Sequence, residues 1–312
     1  MSTIVVSLGG NALIQPGESG TAEEQAANAI GMAVAVGEVA TKGHRIVVTH
    51  GNGPQVGNLA LQQQAARHIV PIMPLDLVGA MTQGYMGSLI VRALWEQLPC
   101  HRDRLAAIVT HTLVDLDDEA FSNPTKPIGP FLDDDAENRA RSLGWTVAKD
   151  SGRGNRRLVP SPRPQGVLEA AAIKSLVDSG YLVVAGGGGG IPIAVASGEL
   201  RGVDAVVDKD RVAVLIAGEV KADVLALVTG VDHVYLGYGT RDERPVHEMT
   251  TDEAARYLEN QEFPVGSMGP KVESAIDFIN AGGEFVVITS GGQLGAALDG
   301  NSGTRVIRGN AL

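Results

Sequence analysis

The sequence predicts an α/β fold, an αβα sandwich whose central sheet is largely parallel, with a protruding inserted subdomain. Three observations predict it. Short β-branched runs alternate with longer helical patterns, the order expected of βα units. The strand candidates are continuously apolar rather than alternating, as strands buried on both faces are. Glycine-rich turns follow several of those runs.

In chain order the strand candidates are "TIVVSL", "RIVVTH", "AAIVTHTLV", "YLVVAG", "DVLALVT" and "FVVITS". Helix starts lie between them. Thr21 with Glu24 and Thr250 with Glu253 have capping-box spacing, and Pro54 and Pro270 suit a first helical turn. Gly43 and Gly180 suit helix C-termini. The stretch "LDLVGAMTQGYMGSLIVRALWEQL" is apolar over more of its circumference than a surface helix requires. It is expected to be deeply buried or to form a subunit interface.

The alternation breaks between Val114 and Val167, a segment rich in proline, glycine and charge. Structureless loops seldom exceed about 12–15 residues, so a lid-like inserted subdomain over about 115–166 is expected. A disordered linker is the alternative. Phe121, Phe131, Trp145 and Leu158 favour the subdomain, since each is expected to be buried.

Composition removes several function classes. A chain of 312 residues, 44% hydrophobic and 20% charged, buries a sizeable core as one large domain or two. Its net charge of −11 opposes binding to nucleic acid or to an anionic membrane surface, so an anionic substrate would need a local basic site. Aromatic residues, at 4%, are too few for a base-stacking surface. Cys100 is the single cysteine, which excludes an intrachain disulfide framework and a cysteine-rich metal site and suits a reducing compartment. The opening "MSTIVVSLGGNAL" lacks the basic segment of a signal peptide, and no apolar run reaches the ~20 residues of a membrane span. A cytoplasmic protein is expected.

Three glycine-rich turns fall at strand ends: Gly9, Gly10 and Asn11; Gly51, Asn52 and Gly53; and Gly186 to Gly190. Glycine lets backbone approach a ligand closely, and a following helix N-terminus offers free N–H groups to an anion. Open α/β sheets bind ligands at that edge. Any one of these could be a plain tight turn, but their repetition points to phosphate or another small anion. The P-loop pattern, the dinucleotide G-x-G-x-x-G and the protein-kinase H-R-D and D-F-G signatures are missing from the sequence.

Only 7 of the 25 basic residues are lysines, so each retained lysine is informative. Lys209 lies between Asp208 and Asp210 in "VVDKDRVAV". One carboxylate suffices to pair a lysine; two around one buried ammonium leave surplus negative charge, which implies a further cation nearby. Lys271 follows Gly269 and Pro270 at a helix start, where it opposes the helix dipole unless an anion binds there. Lys126 is fixed between prolines in "NPTKPIGP".

These segments carry a resemblance. "VVSLGGNAL", "VTHGNGPQVGNL", "MTQGYMG", "FSNPTKPIGP", "GRGNRRLVPSPRP", "GGGGIP", "VVDKDRVA", "LVTGVDHVY" and "GSMGPKVESAI" resemble, in order and spacing, the carbamate kinases of the amino-acid kinase fold family. The likeness runs from near Thr3 to near Arg305, and "NPTKPIGP" with "RRLVPSPRP" are its specific segments.

The resemblance implies an N-terminal lobe, residues 1–205, for carbamate or carbamoyl phosphate, and a C-terminal lobe, residues 206–312, for ATP or ADP. The implied reaction is reversible: carbamoyl phosphate and ADP give carbamate and ATP, with Mg²⁺, in the setting of arginine breakdown or of carbamoyl phosphate supply. Lys209 resembles the family lysine at the transferred phosphoryl group, Asp210 the carboxylate that orients the lysines, and Lys271 the lysine on the nucleotide phosphates. Asp208 helps hold the loop, and Lys126 resembles the lysine that the insertion brings to carbamoyl phosphate. Gly9, Gly10 and Asn11 resemble the turn bridging the substrates, and Gly51 and Asn52 the carbamate-binding turn. Tyr235 and Met268 are candidates for the adenine pocket, with core packing as the alternative.

Mg²⁺ is expected on phosphate oxygens and water rather than on protein ligands. A homodimer is the implied assembly. Ser7 stands where many other amino-acid kinases carry lysine, which agrees with the narrower group. His111 stands where glutamine is expected and Asn155 where an aromatic residue is common, departures that bear on packing of the insertion rather than on chemistry. Two other functions remain open at this point: another phosphotransferase of the same fold, or a nucleotide- or oxyanion-binding protein without catalysis.

Overall fold

The computed structural model describes residues 1–9, 13–15, 17–150, 154–263 and 268–309. The chain begins β1 (Thr3–Leu8), α1 (Ala22–Ala40), β2 (Arg45–His50), α2 (Gly53–Ala66), α3 (Leu75–Gln97), β3 (Leu105–Ala107) and β4 (His111–Val114). The segment that broke the alternation forms β5 (Lys126–Leu132), α4 (Asp134–Ser142), β6 (Thr146–Asp150) and β7 (Gly154–Val159), then returns through β8 (Pro164–Val167). Next come α5 (Ala170–Asp178), β9 (Leu182–Val184), β10 (Ile191–Ala196), β11 (Glu199–Gly202), α6 (Lys209–Glu219), β12 (Val224–Thr229), β13 (Val234–Leu236) and β14 (Arg244–Val246). The chain closes with β15 (Glu248–Thr250), α7 (Thr251–Glu259), α8 (Gly269–Asn280), β16 (Phe285–Ser290), α9 (Leu294–Leu298) and β17 (Thr304–Ile307).

Among the described residues eight strands form the central sheet, in the order β15-β17-β16-β12-β1-β2-β9-β3. All neighbours pair parallel except β16 with β17. Unbroken apolar strands predicted this arrangement, because alternate side chains enter two different cores. Val5, Val47, Leu225 and Ile288 face a core completed by α5, α6, α7 and α8. Their neighbours Ile4, Val48, Ala226 and Val287 face the opposite core, completed by α1, α3 and α9. The predicted αβα layering is therefore present, and both capping boxes form at the starts of α1 and α7.

One strand candidate is corrected. "AAIVTHTLV" is not continuous: β3 belongs to the central sheet, whereas β4 joins a second sheet of order β11-β10-β4-β8. The chain turns away at Thr110. There Gln83 satisfies the backbone from outside both sheets, its Oε1 accepting from Thr110 N at 2.8 Å and its Nε2 donating to Thr110 O at 3.0 Å. A buried amide with its bonds met by a side chain can leave a ladder at little cost.

The inserted segment is ordered as a three-stranded antiparallel sheet, β5-β7-β6, with α4 against it. Its buried residues differ from those expected. Phe131 is 44% exposed, while Ile128, Val147 and Val159 are buried, and Phe121, Trp145 and Leu158 are half-buried. Arginines of β7 cover these rings from both faces of the little sheet: the guanidinium of Arg157 stacks on Trp145 at 3.9 Å, and that of Arg156 lies 5.6 Å from the Phe131 ring centroid. Helix α3 buries Val78, Met86 and Leu94, while Leu77, Met81 and Trp95 stay exposed.

Candidate active site

The C-terminal ends of β1, β2, β12 and β16 converge on one edge of the sheet, where Gly9, Gly51, Thr229 and Gly291 line a cleft of about 800 Å³. Lys126, Asp150 and Arg156 reach the same cleft from the inserted sheet. Two helices start there: α6, whose first residues are Lys209 and Asp210, and α8, which places Lys271 in its first turn. Their unpaired N–H groups make this edge favourable for an anion.

Asp208 is the N-cap of α6, and its Oδ1 accepts from Asp210 N at 2.9 Å. That cap turns Lys209 and Asp210 inward, where both are buried. Lys209 Nζ donates to Asp210 Oδ1 at 2.5 Å and to Ser7 Oγ at 3.0 Å, and Ser7 Oγ donates to Asp210 Oδ1 at 2.7 Å. Lys271 Nζ donates to the other oxygen, Asp210 Oδ2, at 3.0 Å. Lys126 Nζ reaches Asp208 Oδ2 at 2.5 Å. The surplus negative charge in "DKD" is thus matched by cations from β5 and α8.

These contacts set the protonation states. Burial alone would raise the Asp210 carboxyl, but the charges of Lys209 and Lys271 and the hydrogen bonds from Lys209 and Ser7 hold it well below the usual carboxylate range. Burial would also raise Asp208, but the charge and hydrogen bond of Lys126 together with the Lys209 charge lower it. Burial pushes Lys209 down to about 8, with the neighbouring Lys271 charge adding to it against the pull of Asp210. Lys271 is raised, because Asp210 and Asp208 outweigh its desolvation. His50, at the end of β2, is pushed down to about 4 by burial with a contribution from the Lys209 charge, so it is neutral beside the cluster.

Of the residues singled out from sequence, Lys126, Asp208, Lys209, Asp210, Lys271, Gly9, Gly51 and Asn52 share this cleft. Asn52 is buried and donates to Thr82 Oγ1 at 2.8 Å. Gly10 and Asn11 lie outside the described residues. Tyr235 sits in the β13-β14 hairpin against His233 and Tyr238, and Met268, the N-cap of α8, packs on the core; neither lines the cleft. His111 pairs with Glu169, its Nδ1 being 2.7 Å from Oε1, and Asn155 Nδ2 donates to Glu137 Oε2 at 2.5 Å.

Sequence reasoning missed three residues of the cleft region. Ser7 joins Lys209 to Asp210, and its signal was a hydroxyl inside an otherwise apolar strand. Arg156 and Asp150 form a pair at 2.9 Å on adjoining strands of the insertion. No local pattern marked them. In the Gly186–Gly190 run, Gly186, Gly188, Gly189 and Gly190 adopt positive φ, +64° to +83°, which glycine allows, and close neighbours leave no room for side chains. A Cβ would lie 2.4 Å from His50 Nε2 at Gly187, 2.2 Å from Asn52 Nδ2 at Gly188 and 2.1 Å from Val207 O at Gly189. The run thus packs beneath the site residues, and of the five only Gly188 lines the cleft.

An αβα sheet with two lysines on one buried carboxylate at its C-terminal edge defines the class. The profile of the amino acid kinase family matches residues 2–290, and the chain belongs to that family. Within it, full-length similarity is to carbamate kinases. Those of Thermococcus kodakarensis and Pyrococcus furiosus are 46% and 45% identical, the matches covering 99% and 97% of this chain and 100% and 98% of theirs. A solved carbamate kinase from Giardia lamblia bound to citric acid superposes with a TM-score of 0.92 at 39% identity, covering 99% of both chains. The same kinase bound to AMP-PNP gives 0.89, again at 39% identity and 99% of each chain. UMP kinase from Bacillus anthracis, 15% identical with a TM-score of 0.54 over 100% of this chain and 98% of its own, shares the fold.

Proposed function

We propose that this chain catalyses reversible phosphoryl transfer from carbamoyl phosphate to ADP, giving carbamate and ATP. The observation that carries the reading is the Lys209–Asp210–Lys271 bridge at the cleft edge, with Lys126 opposite it. Phosphoryl transfer requires alignment and charge neutralisation rather than covalent chemistry by the protein.

Residues 1–205 supply the carbamoyl phosphate side and 206–312 the nucleotide side. Carbamoyl phosphate lies against Gly9, Gly51 and Asn52 with Lys126 on its anionic groups. Lys271 holds the nucleotide phosphates and Lys209 the transferred group. A β-phosphate oxygen of ADP attacks phosphorus as the bond to the carbamate oxygen breaks. Carbamate leaves as an anion, so no general base is needed. Asp210 keeps both ammoniums aimed before substrate arrives, which removes reorganisation from the reaction step. The anionic substrates complete the charge balance that the lysines begin.

Mg²⁺ accompanying the nucleotide would supply neutralisation of phosphate charge. The nearest carboxylates, Asp208 and Asp210, already accept from Lys126, Lys209 and Lys271. No cluster of three or more His, Cys, Asp or Glu suited to a metal occurs among the described residues. In this reading the ion would be held by phosphate oxygens and water, as its reluctance to lose hydration favours.

The assembly we infer is a homodimer, supported by exposed Ile69, Val70, Ile72, Met73, Leu77 and Met81, which run together from the α2–α3 connection onto α3. A cytoplasmic location is supported by free Cys100. No helix among the described residues is long and apolar enough to cross a membrane. The deciding experiment is ATP formation from carbamoyl phosphate and MgADP, with acetyl phosphate as control donor. ATP from carbamoyl phosphate alone supports the reading; preference for acetyl phosphate, or no ATP, overturns it.

A further inference from the structure

Helix α2 and strand β5 meet backbone to backbone. A Cβ on Gly57 would lie 2.0 Å from Gly129 Cα and 2.1 Å from Gly129 N, closer than any real side-chain contact. Gly129 has φ +75°, and a Cβ there would meet Gly57 Cα at 3.3 Å. On either side of this contact Val56 and Ile128 are buried in one small apolar cluster with Leu75, Val78, Val159 and Val206. The β5–β7 register shifts between Ile128 and Leu132, and Arg156 Nε donates to Gly129 O at 2.9 Å across that irregularity. The root of the insertion is thus clamped to α2 from below and held by Arg156 from the side.

Lys126 opens the same strand, three residues before Gly129, and its Nζ spans the cleft to Asp208. Asn52, on the proposed carbamate side, is the N-cap of α2, five residues before Gly57. The glycine contact therefore ties the helix behind one wall of the cleft to the strand that carries the lysine of the other.

We propose that Gly57 is a positioning residue for carbamoyl phosphate: its missing side chain sets how closely β5 approaches α2, and so where the Lys126 ammonium stands. The inference rests on the functional reading above. A methyl group at 57 must be relieved by β5 retreating more than about 1 Å, and a displacement of that size can cost on the order of 10² in a reaction that depends on alignment. ADP, held from α8 on the other side, is indifferent to it.

The test is Gly57→Ala alone and in the Lys126→Ala background, with each substrate varied. The expected result is a KM for carbamoyl phosphate raised by about tenfold or more, or a matching fall in kcat, with the Kd for ADP within about twofold of wild type. Combined with Lys126→Ala, the glycine substitution should add less than about twofold, because its effect passes through that lysine. Unchanged kinetics, equal losses for both substrates, or fully additive losses in the double variant would each overturn the role. If Gly57→Ala does not fold, Gly129→Ala, which also strains β5 through its φ of +75°, is read by the same comparison of substrates; failure of both to fold marks the contact as structural and overturns the role too. A wild-type protein that makes no ATP faults the functional reading instead.

Discussion

Lys271 Nζ stands 3.0 Å from Asp210 Oδ2 across 61 residues of sequence. Lys209 holds the other oxygen of the same carboxylate at 2.5 Å. One acid thus spans two ammoniums, and the excess positive charge of the trio is directed at the anions it would bind. Replacing Lys209 or Lys271 with Ala should lower kcat by on the order of 10²–10³ while leaving the fold intact, as loss of one preorganised charge does. Steady-state ATP formation and circular dichroism check both halves. Near-normal turnover in either variant rules out the assigned roles.

Asp210→Asn keeps the shape and removes the charge. Its amide nitrogen must face one of the two ammoniums, donor against donor, so the lysines lose register. Activity should fall by about 10² or more. In wild type, Asp210 is held far below the carboxylate range, so it stays ionised through the working pH and contributes no acid limb. A variant with full rate and only a shifted pH profile would instead indicate proton transfer by this residue.

The pH dependence of the free enzyme should follow Lys209, at about 8. Its protonated form is the one that attracts phosphate. The charge is present below that pH and lost as pH rises through it, so kcat/KM should fall above about 8. Bound phosphate favours the ammonium, which moves the corresponding limb of kcat to higher pH. His50, at about 4, is already neutral and adds no limb near neutrality. Profiles of both constants between about pH 6 and 10 decide this; coincident limbs in kcat and kcat/KM would count against it.

Lys126→Ala separates the insertion's contribution from that of the nucleotide side. The KM for carbamoyl phosphate should rise, kcat should fall, or both, while the Kd for ADP scarcely changes. A solvated lysine on a passive appendage would leave every constant at its wild-type value.

The layered fold was legible because burial on two faces writes itself into each strand locally: "TIVVSL" and "DVLALVT" need no knowledge of their neighbours to read as inner strands. The caps at Thr21 and Thr250 were legible for the same reason, their partners lying three residues away. Lys126, Lys209 and Lys271 stood out from the sequence because a chain that otherwise favours arginine placed lysine between two aspartates, at a helix start and between prolines.

What only the tertiary structure decided depends on distant partners. Ser7 is 203 residues from Asp210, and a hydroxyl in an apolar strand does not say which distant residue it joins. "AAIVTHTLV" divides between two sheets because Gln83 captures Thr110 from another helix. Gly57 must be glycine because of atoms that folding brings against it, and the Gly186–Gly190 run for that reason together with the positive φ of its own turn. Arg156 enters the cleft through pairing with Asp150 and the Gly129 carbonyl. The sequence by itself determined which segments are buried and which residue types carry charge, since those follow from local composition and periodicity. Which charges meet, and how closely backbones approach, is fixed only when long-range packing chooses each residue's neighbours.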